Sequence, residues 1–462
     1  MTASPSGSST SEAQRFLDAH PEIEAVDIVL SDLNGVGRGK IIRRHELMGL
    51  YEEGRHVPVS IMALDITGED VHETGLTWEQ GDKDLRVWPV PGTLVPLHGT
   101  TPPRAQVLVT LFALDGTPFG VDPRHALKAQ VDRLADRGLS AAGAFELEFF
   151  LLSNERDADG RIQPARAVVD GRASTKTEVY SVDHLHGMEP LVSDIYRAAA
   201  IQGIPVETLI SEFAPGQYEL TLRYRRDMLR AADDLVMLKR LVRAQARRHG
   251  VAACFMAKPV EAYAGSGMHF HVSLWDDAKR NIFAEIGDER FASNLLHGLG
   301  GLSATLSESM LVFAPHANSW RRFVSNAYAP VAASWGVNNR SVAFRVPAGS
   351  PTNRRVEHRV AGVDANPYLI AAVTLAGLMK GLDDRLDPGP ETTGNGYAAD
   401  ATSSAIPSDW RSAIELAAGS AFLEQALGAP SHHAFVAIKR AEYLRVARTV
   451  SELDYRLYLH EV

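Results

Sequence analysis

Glu146 and Glu148 stand two residues apart in Gly143-Ala-Phe-Glu146-Leu-Glu148-Phe-Phe150. His269 and His271 do the same in Gly265-Ser-Gly-Met-His269-Phe-His271-Val-Ser273. An extended chain sends residues i and i+2 to one face. The two carboxylates therefore share a face, opposite Phe145, Leu147 and Phe149. His269, His271 and Ser273 share another, opposite Met268, Phe270 and Val272. Strands with charge on one side and apolar groups on the other describe a polar cavity lined by sheet. Carboxylates with an occasional imidazole suit hard divalent cations such as Mg2+ and Mn2+.

Three further phrases add to this set. Glu212-Phe-Ala-Pro-Gly-Gln-Tyr-Glu219 puts a carboxylate on either side of a Pro-Gly turn, so two hairpin arms can aim into one cavity. Arginines come from Asn318-Ser-Trp-Arg-Arg322 and from Asn339-Arg340-Ser-Val-Ala-Phe-Arg345. Arg354-Arg355-Val-Glu357-His-Arg359 alternates arginines with a carboxylate. Two divalent cations would bring four positive charges against the carboxylates Glu146, Glu148, Glu212, Glu219 and Glu357. Arginine is suited to bidentate capture of phosphate and carboxylate. Metals, phosphate-seeking arginines and a carboxylate-seeking arginine together suit phosphoryl transfer to a carboxylate. Taken singly, Glu-x-Glu is usually a solvated strand face and His-x-His a satisfied structural pair. The conjunction carries the reading.

The elements that must position these groups fit a chain of 462 residues, long enough for one large and one small domain. Residues 1–12 are Ser/Thr-rich and read as a disordered tail. Residues 13–106 read as a small, mostly β domain, with strands at Ala25–Leu30, Arg38–Arg43, Val57–Ala63 and Asp84–Pro89. Residues 107–462 read as an α+β domain whose antiparallel sheet bears the site. Periodicity predicts helices over Arg124–Arg137, Arg225–His249, Trp410–Leu427 and Ser431–Leu459, with loops over 154–176 and 386–409. A net charge of −10 argues against nucleic acid as partner. The single cysteine, Cys254, rules out an intrachain disulfide and fits a reducing compartment. With no signal peptide visible and no apolar run longer than Leu369–Met379, the reading is a cytoplasmic protein without a membrane span.

In their order and closely similar spacing, these phrases resemble the signatures of the glutamine synthetase family over nearly the whole chain. The resemblance implies a small N-terminal β-grasp domain and a large catalytic domain with a curved antiparallel sheet. It also implies a homo-oligomer, a dodecamer of two hexameric rings, with each active site between neighbouring subunits. Glu148, Glu212 and Glu219 resemble the ligands of one metal, and Glu146, His269 and Glu357 those of a second. The cofactor set is then two or more Mg2+ or Mn2+ per site, with ATP as co-substrate. His271, Ser273, Arg345 and Arg355 resemble nucleotide contacts, and Gly265, Arg322 and Arg359 the glutamate site. Arg340 would stabilise charge on the transferring phosphoryl group. The implied reaction makes γ-glutamyl phosphate and then an amide.

Departures from that pattern narrow the expectation. Family members that use ammonia carry an Asp-Gly-Ser-Ser phrase in the small domain, whose Asp falls here at Val57 or Pro58. They carry Glu directly before Ala-Pro, where this chain has Tyr328-Ala-Pro. The Asn that normally precedes Gly265 is Ala264 here. Ammonium must be desolvated and deprotonated, and carboxylates do both. Their loss points to an organic amine, with an amine pocket formed by Val57, Pro58, Asp84 and Tyr328. A small monoamine such as ethanolamine is the expected substrate. Polyamines, ammonium and a non-catalytic role are the alternatives. Glu212, Tyr328 and Asp84 are the candidates for the base that takes the amine's proton. Tyr397 lies outside the family's adenylylation phrase, so that modification is not expected.

Overall fold

The computed structural model describes residues 4–285, 290–398 and 406–462. Alternating apolar residues build a first sheet from β1 (Ala25–Ser31), β2 (Gly37–Arg43), β3 (Arg55–Pro58), β4 (Asp84–Pro89), β5 (Val95–Leu97) and β6 (Arg104–Phe112). The order is β2-β1-β6-β4-β3, with β5 also on β6. β1 and β6 run parallel, and the other pairs antiparallel. The turn between β1 and β2 is set by Asp32, whose carboxylate accepts the Val36 N–H at 2.8 Å and pairs with Arg38.

The small domain differs from the reading in three places. The strand expected over Val57–Ala63 ends at Pro58, and Val59–Met62 winds into a short 3-10 helix. Proline offers no N–H to continue a ladder. The tail expected over residues 1–12 is ordered where it is described. Helix Thr10–Ala19 is capped by Ser9, and the Ser6 hydroxyl donates to the Pro89 carbonyl at 2.7 Å. Residues 1–3 lie outside the described residues. A boundary between 106 and 107 would cut β6, which stays in the small sheet to Phe112.

The second sheet holds β7 (Leu139–Arg156), β8 (Ile162–Pro164), β9 (Val206–Ser211), β10 (Gln217–Leu222), β11 (Val251–Cys254), β12 (Phe270–Asp276), β13 (Trp335–Val337), β14 (Phe344–Val346) and β15 (Val356–His358). Its order is β13-β14-β15-β12-β7-β10-β9, with β8 and β11 also on β7. The expected antiparallel sheet contains one parallel pair, β13 with β14. Part of the loop expected over 154–176 is strand, because β7 runs on to Arg156 and β8 folds back on it. The whole is an α+β fold.

The long strand β7 organises this sheet. Its first half, Leu139–Phe145, pairs with β12, and Glu146–Phe150 pairs with β10. Phe145, Leu147 and Phe149 are buried on one face, and Glu146 and Glu148 are half-buried on the other. Phe145 stacks on Phe270 of β12 with ring centroids 4.6 Å apart. Each buried aromatic of this kind contributes roughly 1.5–3 kcal/mol, so the apolar face anchors the polar one. Behind the sheet, helices Ser293–Phe313 and Pro367–Asp384 pack closely. A Cβ at Gly301 would lie 2.1 Å from the Gly377 carbonyl oxygen, so this crossing admits only glycine. Among the described residues no helix is long and apolar enough to cross a membrane.

Candidate active site

Strand pairing converts the separate phrases into one cluster. Across β7 and β10, Glu148 faces Glu219. Across β12 and β15, His271 faces Glu357, and Arg345 of β14 faces Glu357 from the other side. His269 directly precedes β12, and its carbonyl accepts the Glu146 N–H at 2.9 Å, which extends the ladder. Glu212 and Glu219 sit on the two arms of the β9–β10 hairpin, as their spacing predicts. The Glu212 N–H donates to the Gln217 carbonyl at 2.9 Å. Gly216 closes this turn at φ +74°, where a Cβ would also meet the Leu151 carbonyl.

Glu146 is the hub. One of its oxygens lies 2.9 Å from His269 Nδ1, the other 2.8 Å from His271 Nε2. Glu146, Glu219 and His269 bring one ligand atom each to a common point, as do Glu146, His271 and Glu357. These groupings differ from those the resemblance implies. Glu148 and Glu212 belong to neither three-residue group, and His271 joins one of them. The reason is geometric: Glu146 bonds both imidazoles and so belongs to both groups. Glu148 instead accepts the Gly267 N–H at 2.6 Å and lies 3.8 Å from His269 Nε2.

Electrostatics show how much negative charge is concentrated here. Burial, then the Glu146, Glu148 and Glu212 charges, pushes the Glu219 carboxyl up to about 10. Burial and the Glu148 charge raise Glu212 to about 7. Glu357 goes the other way. Burial opposes its ionisation, but His271, Arg359 and His269 hold it at about 2. Buried carboxylates forced toward the neutral form are the state that divalent cations relieve.

The arginines fall into distinct places. Arg345 Nη1 donates to Glu357 at 2.7 Å, and Arg359 donates to the same carboxylate. Arg355 Nε donates to His271 Nδ1 at 3.1 Å. Arg340 is exposed, and its charge acts on Glu212. Arg322 is buried and donates to the carbonyls of Val360 and Arg359, so it braces the backbone of the Arg359 segment. Gly265 passes close to Arg322: a Cβ there would lie 2.8 Å from the Arg322 side chain. Beside Glu146 and His271 opens a cavity of about 500 Å3 that Ser273 and Arg355 also line.

The residues read as an amine pocket are not gathered beside this cluster in one chain. Val57, Pro58 and Asp84 lie on the paired strands β3 and β4 of the small sheet, whereas the cluster stands on the large one. Val57 is buried in the core, where its side chain is used for packing. Tyr328 is exposed, in the left-handed region at φ +55°.

Two contributors escape a reading of spacing. Gln217 Nε2 donates to the Gly265 carbonyl at 3.0 Å and to Ser266 at 3.2 Å, which fixes the glycine phrase. Tyr397 is half-buried and lies within the fields of Arg359 and Arg322, with its hydroxyl on the Ala329 carbonyl at 3.1 Å. Burial raises its phenol, against those two charges. The Gln217 position inside the hairpin phrase was a usable signal, and Tyr397 offered none.

Residues 120–458 match the family described as glutamine synthetase, catalytic domain. The chain belongs to the glutamine synthetase family. It is 40% identical over 445 residues to γ-glutamylputrescine synthetase PuuA of Escherichia coli (strain K12), covering 96% of this chain and 93% of that one. It is 32% identical over 425 residues to γ-glutamylethanolamide synthetase GlnA4 of Streptomyces coelicolor (strain ATCC BAA-471 / A3(2) / M145), covering 90% and 88%. A solved GmaS/ADP complex superposes with a TM-score of 0.83 at 26% identity, covering 97% of this chain and 99% of that one. As a glutamine synthetase family member, the chain carries its carboxylate–imidazole cluster wholly within the matched segment.

Proposed function

We propose that this chain is an ATP-dependent ligase that joins the γ-carboxylate of glutamate to an organic amine. One observation carries the reading: Glu146 links two converging groups of carboxylate and imidazole, in a chain 40% identical to an enzyme named for glutamylating putrescine. The expectation of ethanolamine has no specific support, since relatives named for putrescine and for ethanolamine both match and the former has the higher identity. A diamine such as putrescine is the substrate we favour, with ethanolamine second.

The residues suit divalent cations, because several carboxylates share a space too dry for all to ionise alone. Glu146, Glu148, Glu212, Glu219, His269 and Glu357 are the ligand pool, and the geometry adds His271. Bound Mg2+ or Mn2+ would supply Lewis-acid neutralisation of phosphate charge. His271, Ser273 and Arg355, around the 500 Å3 cavity, would take the nucleotide, with Arg345 behind Glu357. Arg359, braced by Arg322 and near Gly265, would hold glutamate. The γ-carboxylate oxygen attacks the terminal phosphorus, the bond to ADP breaks, and Arg340 offsets charge on the moving group. The amine nitrogen then attacks the acyl carbon, phosphate leaves, and the nitrogen gives up a proton. Of the three candidate bases, Glu212 is the one that stands among the cluster carboxylates, whereas Asp84 lies on the small sheet and Tyr328 is exposed, so Glu212 is the one we assign to take it.

Assembly belongs to the same proposal. Leu453, Leu457 and Leu459 are exposed near the C-terminus, and Asp84 and Pro58 stand away from the cluster of their own chain. A dodecamer of two rings would cover the former and bring the latter to a neighbour's site. The deciding experiment is phosphate release with ATP, Mg2+ and glutamate across ammonium, ethanolamine, short alkylamines, putrescine and spermidine, with product masses. A mass matching γ-glutamylputrescine, with little turnover of ammonium, is the expected result. Ammonium as the best substrate would make the protein a glutamine synthetase.

A further inference from the structure

We propose that the cavity between the two lobes binds a small polyanion. This space has a volume of about 700 Å3, within the range of small-molecule sites. The small sheet supplies Asp27 of β1 and Arg104 of β6 as one wall. Helix Met228–Arg248 supplies the other, with Lys239, Arg240, Arg243 and Arg247.

Arg240, Arg243 and Arg247 follow i, i+3, i+7, so they share one helix face and repel one another. Asp27 answers only the first of them, at 3.2 Å, and it also pairs with Arg104. Among the described residues no carboxylate lies within ion-pair distance of Arg243 or Arg247. Arg243 instead lies over the Phe255 ring, 4.6 Å from its centroid. Asp364 is the other acid on the wall, and it takes the Ser319 hydroxyl at 2.7 Å. Buried Arg104 Nε has no acceptor.

A purely structural arginine on this helix looks different. Arg248 is paired with Asp194, which also serves His98, Arg197 and His249. One turn away the chain leaves basic groups around a cavity without matching acids. Arg243 is exposed at the cavity rim, where partial desolvation lowers its basicity; Cys254 opposes this, and the neighbouring Arg247 and Arg240 charges add to it. An anion there would relieve that repulsion. Guanidinium forks donate to carboxylate and phosphate oxygens alike, so the ligand is a small molecule with two or more such groups. Bound there, it would bridge the two lobes.

Titration calorimetry of the metal-free, nucleotide-free protein tests this with citrate and with pyrophosphate as separate probes. Saturable binding of citrate alone would mark a polycarboxylate, and of pyrophosphate alone a phosphorylated ligand. The double variant R243Q/R247Q should weaken the bound probe at least tenfold, while phosphate release at saturating substrates stays within twofold of wild type. The single variant R247Q, at an exposed position, serves if the double variant fails to fold, and should also weaken binding measurably. Absence of binding to either probe overturns the proposal. So does undiminished binding by the folded variants.

Discussion

Replacing Lys439 by methionine should destabilise the protein by about 3–5 kcal/mol, the range for breaking a buried ion pair from one side. Lys439 is fully buried in helix Ala429–Arg448. Its ammonium donates to Asn34 in the β1–β2 turn and to Glu442 at 2.9 Å, and it lies 3.5 Å from His316. Glu442 also accepts the Ile66 N–H at 2.8 Å, so the pair ties the C-terminal helix to two loops of the small domain. Burial pushes the Glu442 carboxyl up, but Lys439 and His316 outweigh it and hold the group at about 2. A folded value below the ordinary 4.5 gives a contribution that is fully present above pH 4.5 and is lost as pH falls toward 2. The difference converts to roughly 3 kcal/mol. Methionine fills the volume of lysine but leaves the Glu442 charge unpaired, with its side chain only 4% exposed. The assay is urea unfolding at pH 7 and pH 3 for wild type, K439M, E442Q and the double variant. Wild type should lose roughly 2 kcal/mol through this group between the two pH values, and E442Q should lack that component. The double variant should cost less than the sum of the singles, because the two side chains share one interaction. A K439M protein within about 1 kcal/mol of wild type at pH 7 would refute the reasoning. So would an E442Q protein with the wild-type pH profile.

His269→Ala should lower phosphate release on the order of a thousandfold, since it removes an imidazole from the proposed metal ligands. Wild-type turnover would take His269 out of that set. Arg359→Ala should raise the KM for glutamate on the order of tenfold to a hundredfold, the worth of a charged hydrogen bond; an unchanged KM in initial-rate kinetics would put the glutamate clamp elsewhere. Tyr328→Glu, alone or with Pro58→Asp, should raise kcat/KM for ammonium on the order of tenfold, because a nearby carboxylate stabilises a desolvated cation. No gain in either variant would show that the amine pocket differs beyond these positions. Pro58 is the better second site, since an aspartate at Val57 would be buried in the core.

What could be read from the chain was what strand geometry makes local. The pairing of Glu146 with Glu148 follows from a period of two, and β7 buries Phe145, Leu147 and Phe149 on the opposite face as that period requires. The Pro-Gly turn between Glu212 and Glu219 was legible for the same reason. Which carboxylate meets which imidazole was not, because it depends on the register of β7 with β10 and of β12 with β15. That register makes Glu146 the shared member of both groups. Tyr397 had no local signal, since its place beside Arg322 and Arg359 is made only by the return of the chain after residue 390. The helix face of Arg240, Arg243 and Arg247 marks the limit of such reading. Its spacing is plain in the sequence, and on spacing alone it is a solvated basic stripe. Only the small sheet opposite turns the stripe into a cavity wall, and only the engagement of the two acids there, Asp27 with Arg240 and Arg104 and Asp364 with the Ser319 hydroxyl, shows that the charge is unmatched. A local pattern can therefore announce which groups are present. Whether they are neutralised is a property of the fold, and an unneutralised group facing a cavity is the one that points to a ligand.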